Sequence, residues 1–443
     1  MNKARSKKIP KTCTDLFDFI KKSPSCYHAI DTVKNTLISN GYTLLCEGQN
    51  WNLSEGGKYF VIRNLSSVIA FRIPKSDYNG FMIAASHSDS PTFRIKDASQ
   101  IKGSDGYVQL CVERYGGMIY STWLDRPLSA AGRVVVETEN GIETRLVNID
   151  RDLLLIPNVA IHMNRNLNDN ASYNPAVDLL PLFGSGDKCT SFSQIVAKAA
   201  KTDKDKIIGT DMYLYNRQEG TVWGADNEFI SAPRLDDLEC VFATLEGFLE
   251  SDDSDSIPML CVFDNEEVGS ATKQGAASTF LSDILTRINE AFGKSASELK
   301  RTLSNSFLVS ADNAHAVHPN HPEYADKTNR PVMNGGIVIK FSAAQRYTTD
   351  AVSNALFRKL CDTADVPVQI YTNRADIPGG STLGNIVMSQ VSVNSVDIGL
   401  AQLAMHSSYE TAGIRDIDYL IKAMTAFFEK SIVCEDIGNY TIK

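Results

Sequence analysis

Two adjacent glutamates, Glu266 and Glu267, stand in the run DNEEVGS, directly after an apolar segment, Pro258 to Phe263, that predicts a buried strand. Successive side chains near a strand end point in different directions, so the two carboxylates cannot serve one metal from the same side. A metal ligand beside a base that takes a proton from water fits the pair better. An EE dipeptide by itself is ordinarily solvated surface, so the chemistry rests on what accompanies it.

Three further apolar runs end on a residue of metal-ligand type. Phe81 to Ala85 leads to Ser86 and His87 in SHSDSP, Phe307 to Ser310 leads to Ala311 and Asp312 in SADNAHAVHPN, and Leu400 to Met405 delivers His406. SAPRLDD adds an acidic pair, Asp236 and Asp237, at the start of the helical pattern Leu238, Phe242, Leu245, Leu249. In open α/β sheets ligands collect beyond the carboxyl ends of strands, where groups far apart in sequence meet. One such His or Asp is commonly a core or cap residue; several at strand ends point to a site.

The elements that must position these residues fall into three stretches. The first, to about Thr92, has a helix with Ala29, Ile30, Val33, Leu37 and Ile38 on one face and Gly41 as its stop, then strands around Val61 and from Val68 to Ile73. From about Phe93 to Ala232 short β runs dominate: Val108 to Val112, Ile119 to Trp123, Arg133 to Glu137 and Thr144 to Val147, separated by turn-rich pieces such as NRNLNDNASYNP. After Pro233 strands again alternate with helical patterns. The expected organisation is one α/β domain, residues 1–92 and 233–443, interrupted by a β-rich insertion, residues 93–232.

Composition bounds the function. The chain has 443 residues, 43% of them apolar, enough for a substantial core. A net charge of -9 and a pI near 5.4 offer no electrostatic footprint for nucleic acid or an anionic membrane, so small substrates are the expected partners. Nine scattered cysteines form no CxxC pair, which argues for reduced thiols in the cytoplasm and against a thiolate metal site. The basic start, MNKARSKKIPKTCTDLFDFI, has no continuous apolar stretch of the kind export requires.

HSDSP at 87, RLDD at 234, DNEEVGS at 264, SADNAHAVHPN at 310, VIKFSAAQRY at 338 and QLAMHSSYE at 402 together resemble the aspartyl aminopeptidases, in order and spacing over nearly the whole chain. The resemblance implies a phosphorylase/hydrolase-like metallopeptidase fold, a mixed sheet flanked by helices, holding two Zn²⁺ per subunit. It implies that Asp236 bridges the metals, one completed by His87 and Asp312 and the other by Glu267 and His406, with Glu266 as general base. It also implies that the insertion is a dimerisation surface in a homo-oligomer, a dodecamer built from dimers, and that His162 enters a neighbouring subunit's site to help stabilise the tetrahedral intermediate. Lys340 matches the residue that meets a substrate's acidic side chain, and Tyr347, His318, Gly380 and Ser381 are placed with it in substrate binding. The chain departs from the pattern at Asp237, where Asn is frequent, and at NGGIVIK, which replaces a KGP-type segment.

The donor types agree with the implied metals, since imidazole nitrogen and carboxylate oxygen suit Zn²⁺ and an oxygen-rich set also accepts Mn²⁺ or Co²⁺. Asp89, two residues after His87, is expected to reach back to the other imidazole nitrogen and fix its tautomer. His315, His318 and His321 form a tempting HxxHxxH but are expected to line or support the site rather than bind metal. The expected activity is removal of an N-terminal residue, Asp or Glu, from peptides with a free amino terminus. A carboxypeptidase or deacylase of the same fold, and a non-catalytic scaffold with structural metals, are the alternatives.

Overall fold

The computed structural model describes residues 9–443. The first eight residues of the basic start, on which part of the export argument rests, lie outside them. Among the described residues no helix is long and apolar enough to cross a membrane.

The chain builds a mixed sheet of nine strands. Its centre is four neighbouring parallel strands, Ile257–Phe263, Phe81–His87, Phe307–Ala311 and Asn394–Gly399. Ile257–Phe263, Phe81–His87 and Phe307–Ala311 are buried at every position, because helices cover both faces of the sheet. That burial explains why they appear in the sequence as continuous apolar runs. One edge continues antiparallel through Ser67–Arg72 and Lys58–Arg63, and the other through the antiparallel Ile337–Phe341 to Val368–Thr372. On one face pack Lys11–Lys22, Leu235–Glu250, Ala351–Thr363 and Asp416–Phe428; on the other lie Phe280–Ala291 and Leu383–Gln390. The helix Leu235–Glu250 is enclosed almost all round, with Phe248 against Phe428 at 5.3 Å between ring centroids. It runs beneath the sheet and carries Asp236 in its first turn.

Between the strand ending at His87 and the helix carrying Asp236, the chain leaves the sheet. It forms a six-stranded antiparallel sheet in the order Gly141–Asn148, Leu128–Thr138, Ile207–Asn216, Thr92–Lys102, Tyr107–Tyr115, Leu182–Ser185, with its own apolar core. The strands Thr221–Trp223 and Phe229–Ala232 do not join it. They pair instead with Glu410–Gly413, Ala401–Leu403 and Ala314–His315 in a third sheet.

Two of the expected strands differ. Ile119 to Trp123 forms a short helical turn, Tyr120–Trp123, because its apolar residues serve a corner, where Trp123 packs edge-on against Phe93. Leu400 to Met405 keeps only Ala401–Leu403 as strand; Ala404 and His406 take positive φ values of 57° and 68°, so the chain turns before the histidine. On the second helix, Cys26–Ser39, Ile38 is exposed while Ala29, Ile30, Val33 and Leu37 are buried as expected.

Candidate active site

The carboxyl ends of three adjacent parallel strands bring His87, the Asp264–Glu267 turn and Asp312 side by side. Asn265, in a left-handed conformation at φ 64°, bends the chain after Phe263 so that Glu266 and Glu267 enter a short helical turn, Glu266–Val268. Asp236 arrives from below on its helix, and His406 from the turn between Ala401–Leu403 and Glu410–Gly413. Five segments thus converge on one point.

At that point the Asp236 carboxylate divides between two histidines. His87 Nε2 lies 3.4 Å from Oδ1, and His406 Nε2 lies 3.4 Å from Oδ2 and 3.5 Å from Glu267 Oε2. These separations are long for hydrogen bonds. They match the spacing of about 3.3 Å between two ligands that each sit ~2.05 Å from a tetrahedral zinc ion. Asp312 and Asp237 complete a group with His87 and Asp236 whose donor atoms lie within 4.8 Å of one another, and Glu266 and Glu267 form another with His87. Asp236 Oδ1 and Glu267 Oε1 are buried with no hydrogen-bond partner. Buried carboxylate oxygens are costly unless a cation or donor meets them, so this donor set fits divalent metal.

Hydrogen bonds behind the donors fix their orientation. The Nδ1 of His87 lies 3.0 Å from the Asp89 carbonyl oxygen, and that of His406 2.9 Å from the Gly117 carbonyl oxygen. A carbonyl only accepts, so each Nδ1 carries the proton and each Nε2 is free for metal. Asp89 thus meets His87 Nδ1 with its backbone carbonyl, where its carboxylate was expected. Its carboxylate, 3.4 Å from the same nitrogen, accepts from Glu266 N–H (3.1 Å), Glu267 N–H (3.2 Å) and the Tyr115 hydroxyl (2.7 Å), holding the glutamate turn in place. Glu410 was not singled out from the sequence, although it lies four residues after His406 in the same motif. Its carboxylate accepts from His406 N–H (2.7 Å) and Asp236 N–H (3.0 Å), joining the two donors through their backbones. Gly117 and Tyr115 come from the six-stranded sheet and its exit loop, a contact that local sequence pattern does not signal.

Burial pushes Glu266 up to about 8, with Asp312, Asp89 and Asp236 adding to it against His87. Burial acts to raise Asp236 as well, but His406 and His87 outweigh it and hold its carboxyl below the usual range. Asp237 is driven well above its ordinary value by burial, reinforced by Asp312 and Asp236. A neutral Asp237 has the shape of the Asn frequent at this position, and it accepts from His87 N–H at 3.1 Å. The departure from the family pattern thus places a carboxyl group within the donor cluster.

The donors open onto a cavity of about 260 Å³ whose lining includes Lys340, Tyr347, Gly380 and Ser381, so these four sequence-predicted residues share a space with the metal donors. Lys340 is no solvated strand end. It is 2% exposed, donates to the Asn313 carbonyl at 3.1 Å and lies 3.9 Å from Asp312 Oδ2 and 5.5 Å above the Tyr347 ring. His315 also lines the cavity, but His318 does not: it sits on the surface against His321, its Nδ1 accepting from Asn320 N–H. His162 is exposed in a turn-rich segment of the insertion and is not among the residues that line this cavity.

Residues 19–428 match the family model described as aminopeptidase I zinc metalloprotease (M18). The chain belongs to the M18 family of zinc aminopeptidases. A probable M18 family aminopeptidase 2 of Clostridium novyi is 45% identical to this M18 chain over 94% of its length and 98% of the relative's. Aspartyl aminopeptidase 1 of Schizosaccharomyces pombe is 39% identical over 95% of each chain. The S. cerevisiae mApe1 dodecamer superposes with a TM-score of 0.84 at 29% identity, over 94% of this chain and 96% of that one. Bound zinc would account for a cluster in which buried acids outnumber the cationic groups beside them, Lys340 near Asp312 among these.

That deficit predicts how the metal-free M18 chain responds to pH. Glu266 and Glu410, both driven up to about 8 chiefly by burial, have an ordinary value of 4.5. Between those values the folded state holds protons that the unfolded state has released, so stability falls as pH rises. Thermal unfolding of metal-stripped protein should lose stability steadily from about pH 5 to 8, and saturating zinc should remove most of that slope. Equal slopes with and without zinc would exclude metal binding at this cluster.

Proposed function

We propose that the chain is a two-zinc aminopeptidase that removes an N-terminal Asp or Glu from peptides with a free amino terminus. The observation that carries the reading is the Asp236 carboxylate, with one oxygen 3.4 Å from His87 and the other 3.4 Å from His406, beside the half-buried Glu266. In this reading His87 and Asp312 would hold one ion, Glu267 and His406 the other, with Asp236 serving both; Mn²⁺ or Co²⁺ would suit the same donors. When bound, the ions supply Lewis acidity and lower the pKa of a water towards about 7. Glu266 would take the proton of a water attacking the scissile carbonyl and pass it to the leaving nitrogen. Burial raises its proton affinity in the metal-free protein and the charge of bound ions would lower it again, leaving a carboxylate placed to accept a proton and return it. Glu266→Gln should lower turnover by at least about 10²-fold while about two metals stay bound, and Glu267→Gln should lose metal. Near-normal turnover in Glu266→Gln with metal content confirmed would end this assignment, and hydrolysis of N-acetylated peptides as fast as free ones would favour the deacylase reading.

Acidic preference rests on Lys340. Its ammonium donates to the Asn313 carbonyl and lies near Asp312, which leaves N–H capacity for a carboxylate entering the cavity. A charge-assisted hydrogen bond of roughly 1.5–3 kcal/mol corresponds to about ten- to a hundredfold preference for Asp or Glu over a neutral residue. Lys340→Met should erase most of that preference in kcat/KM and leave Ala and Leu substrates largely intact, with zinc content measured because Asp312 loses a partner. Retention of the preference would show that another group selects the substrate.

Assembly completes the reading. Val159, Ile161 and Met163 beside His162, and Val177 further along, are 50%, 43%, 83% and 67% exposed, an apolar set that suits burial against a second copy. The yeast relative is described as a dodecamer, and we infer the same state here, built from dimers, in a reducing cytoplasm that suits nine unpaired cysteines. His162 then reaches a neighbour's cavity. Mixing His162→Ala with Glu266→Gln and allowing subunits to exchange should restore part of the activity. No recovery in verified mixed oligomers would return His162 to its own subunit or to no role.

A further inference from the structure

The cavity beside the metal donors has two walls from separate parts of the chain, one carrying Tyr347 and the other Gly380, Ser381 and Thr382. Both are loops, one between the strand Ile337–Phe341 and the helix Ala351–Thr363, the other before the helix Leu383–Gln390. Regular backbone hydrogen bonding does not set the gap between them. One carboxylate behind the cavity does connect them. Asp397, fully buried on the strand Asn394–Gly399, accepts at Oδ2 from Thr348 N–H (2.5 Å) and the Thr348 hydroxyl (2.9 Å), and at Oδ1 from the Thr382 hydroxyl (2.6 Å). Its own N–H donates to Thr349 Oγ1 at 2.9 Å, tying the first loop a second time.

The second wall is tied just as closely. A Cβ on Gly384 would lie 2.7 Å from Asp397 Oδ1 and 2.8 Å from Oδ2, so only glycine lets the helix Leu383–Gln390 seat its first turn on this carboxylate. A helix N-terminus is a favourable place for an anion, through its unpaired N–H groups and the partial positive charge of the helix. Hydrogen bonds to a carboxylate are also about twice as strong as neutral ones, so few other side chains would hold two loops this firmly. Asp397 does not line the cavity.

We propose that Asp397 is a positioning residue for substrate selection, fixing the distance between Tyr347 and Ser381 by holding Thr348 and Thr382, and thereby the fit of the substrate's N-terminal residue. The inference rests on the aminopeptidase reading of the cavity. It predicts a loss in substrate binding rather than in chemistry, because neither the metal donors nor Glu266 hydrogen-bonds to Asp397.

The test compares Asp397→Ser, which cannot span both walls, with Gly384→Ala, which leaves the carboxylate but displaces it. In both, KM for a peptide with N-terminal Asp should rise about tenfold or more while kcat falls less than about threefold and zinc content stays unchanged. Asp397→Asn should recover most of the KM lost in Asp397→Ser, since its oxygen serves Thr348 N–H and the Thr382 hydroxyl can turn to accept. Unchanged KM in Gly384→Ala, or a fall in kcat alone, overturns the proposal, and Gly384→Ala decides if the serine variant does not fold. If the wild type hydrolyses no peptide, the aminopeptidase reading has failed separately. Calorimetric binding of free L-aspartate to the zinc-loaded protein then decides: about tenfold weaker binding in Gly384→Ala supports the role of Asp397. Equal affinity, or no binding by the wild type, overturns it.

Discussion

The structure depends on one carboxylate being shared. Asp236 sets one oxygen 3.4 Å from each histidine, and neighbouring elements bring the other donors to it: His87 from the central sheet, His406 from the small third sheet, Glu267 from the turn after the next parallel strand. Bringing this many acids together inside a protein is unfavourable by desolvation and by mutual repulsion. The fold meets that cost with rigid support. A largely buried helix carries Asp236, three buried strands lead to the first histidine, the glutamate pair and Asp312, and backbone carbonyls fix both imidazoles.

Much of this was legible in the sequence because buried parallel strands leave a simple trace. An apolar run of four to six residues followed by a polar ligand marks His87, the Glu266–Glu267 pair and Asp312, and all of them sit at strand ends or in the turn that follows. The same trace misled at Leu400 to Met405, where the run is apolar because it packs against the sheet, while left-handed residues turn the chain before His406. Ile119 to Trp123 failed for a related reason, since composition cannot separate a short buried corner from a short strand.

What stayed hidden was the layer of contacts that depends on tertiary approach. Glu410 ties the backbones of two residues 170 positions apart in effect, through acceptors that any surface glutamate possesses. Tyr115 and Gly117 contact the site only because the six-stranded sheet folds back over it. The HxxHxxH spacing suggested a shared role for three histidines, but the chain turns after His315, which remains in the cavity, and leaves His318 and His321 outside. Lys340 shows the reverse case: a residue type that strand ends normally expose is here enclosed, and its partners explain why.

The carbonyl of Gly117 has a further consequence. It is main chain, so no side-chain exchange at that position can retune it, and it lies on the loop leaving Tyr107–Tyr115 while Ile119 N–H returns a bond to the His406 carbonyl at 3.0 Å. The six-stranded sheet is therefore not a detachable module hung on a self-sufficient hydrolase. The stretch from Tyr115 to Ile119 is held to the donor cluster's own geometry, and a minimal catalytic unit would have to keep it.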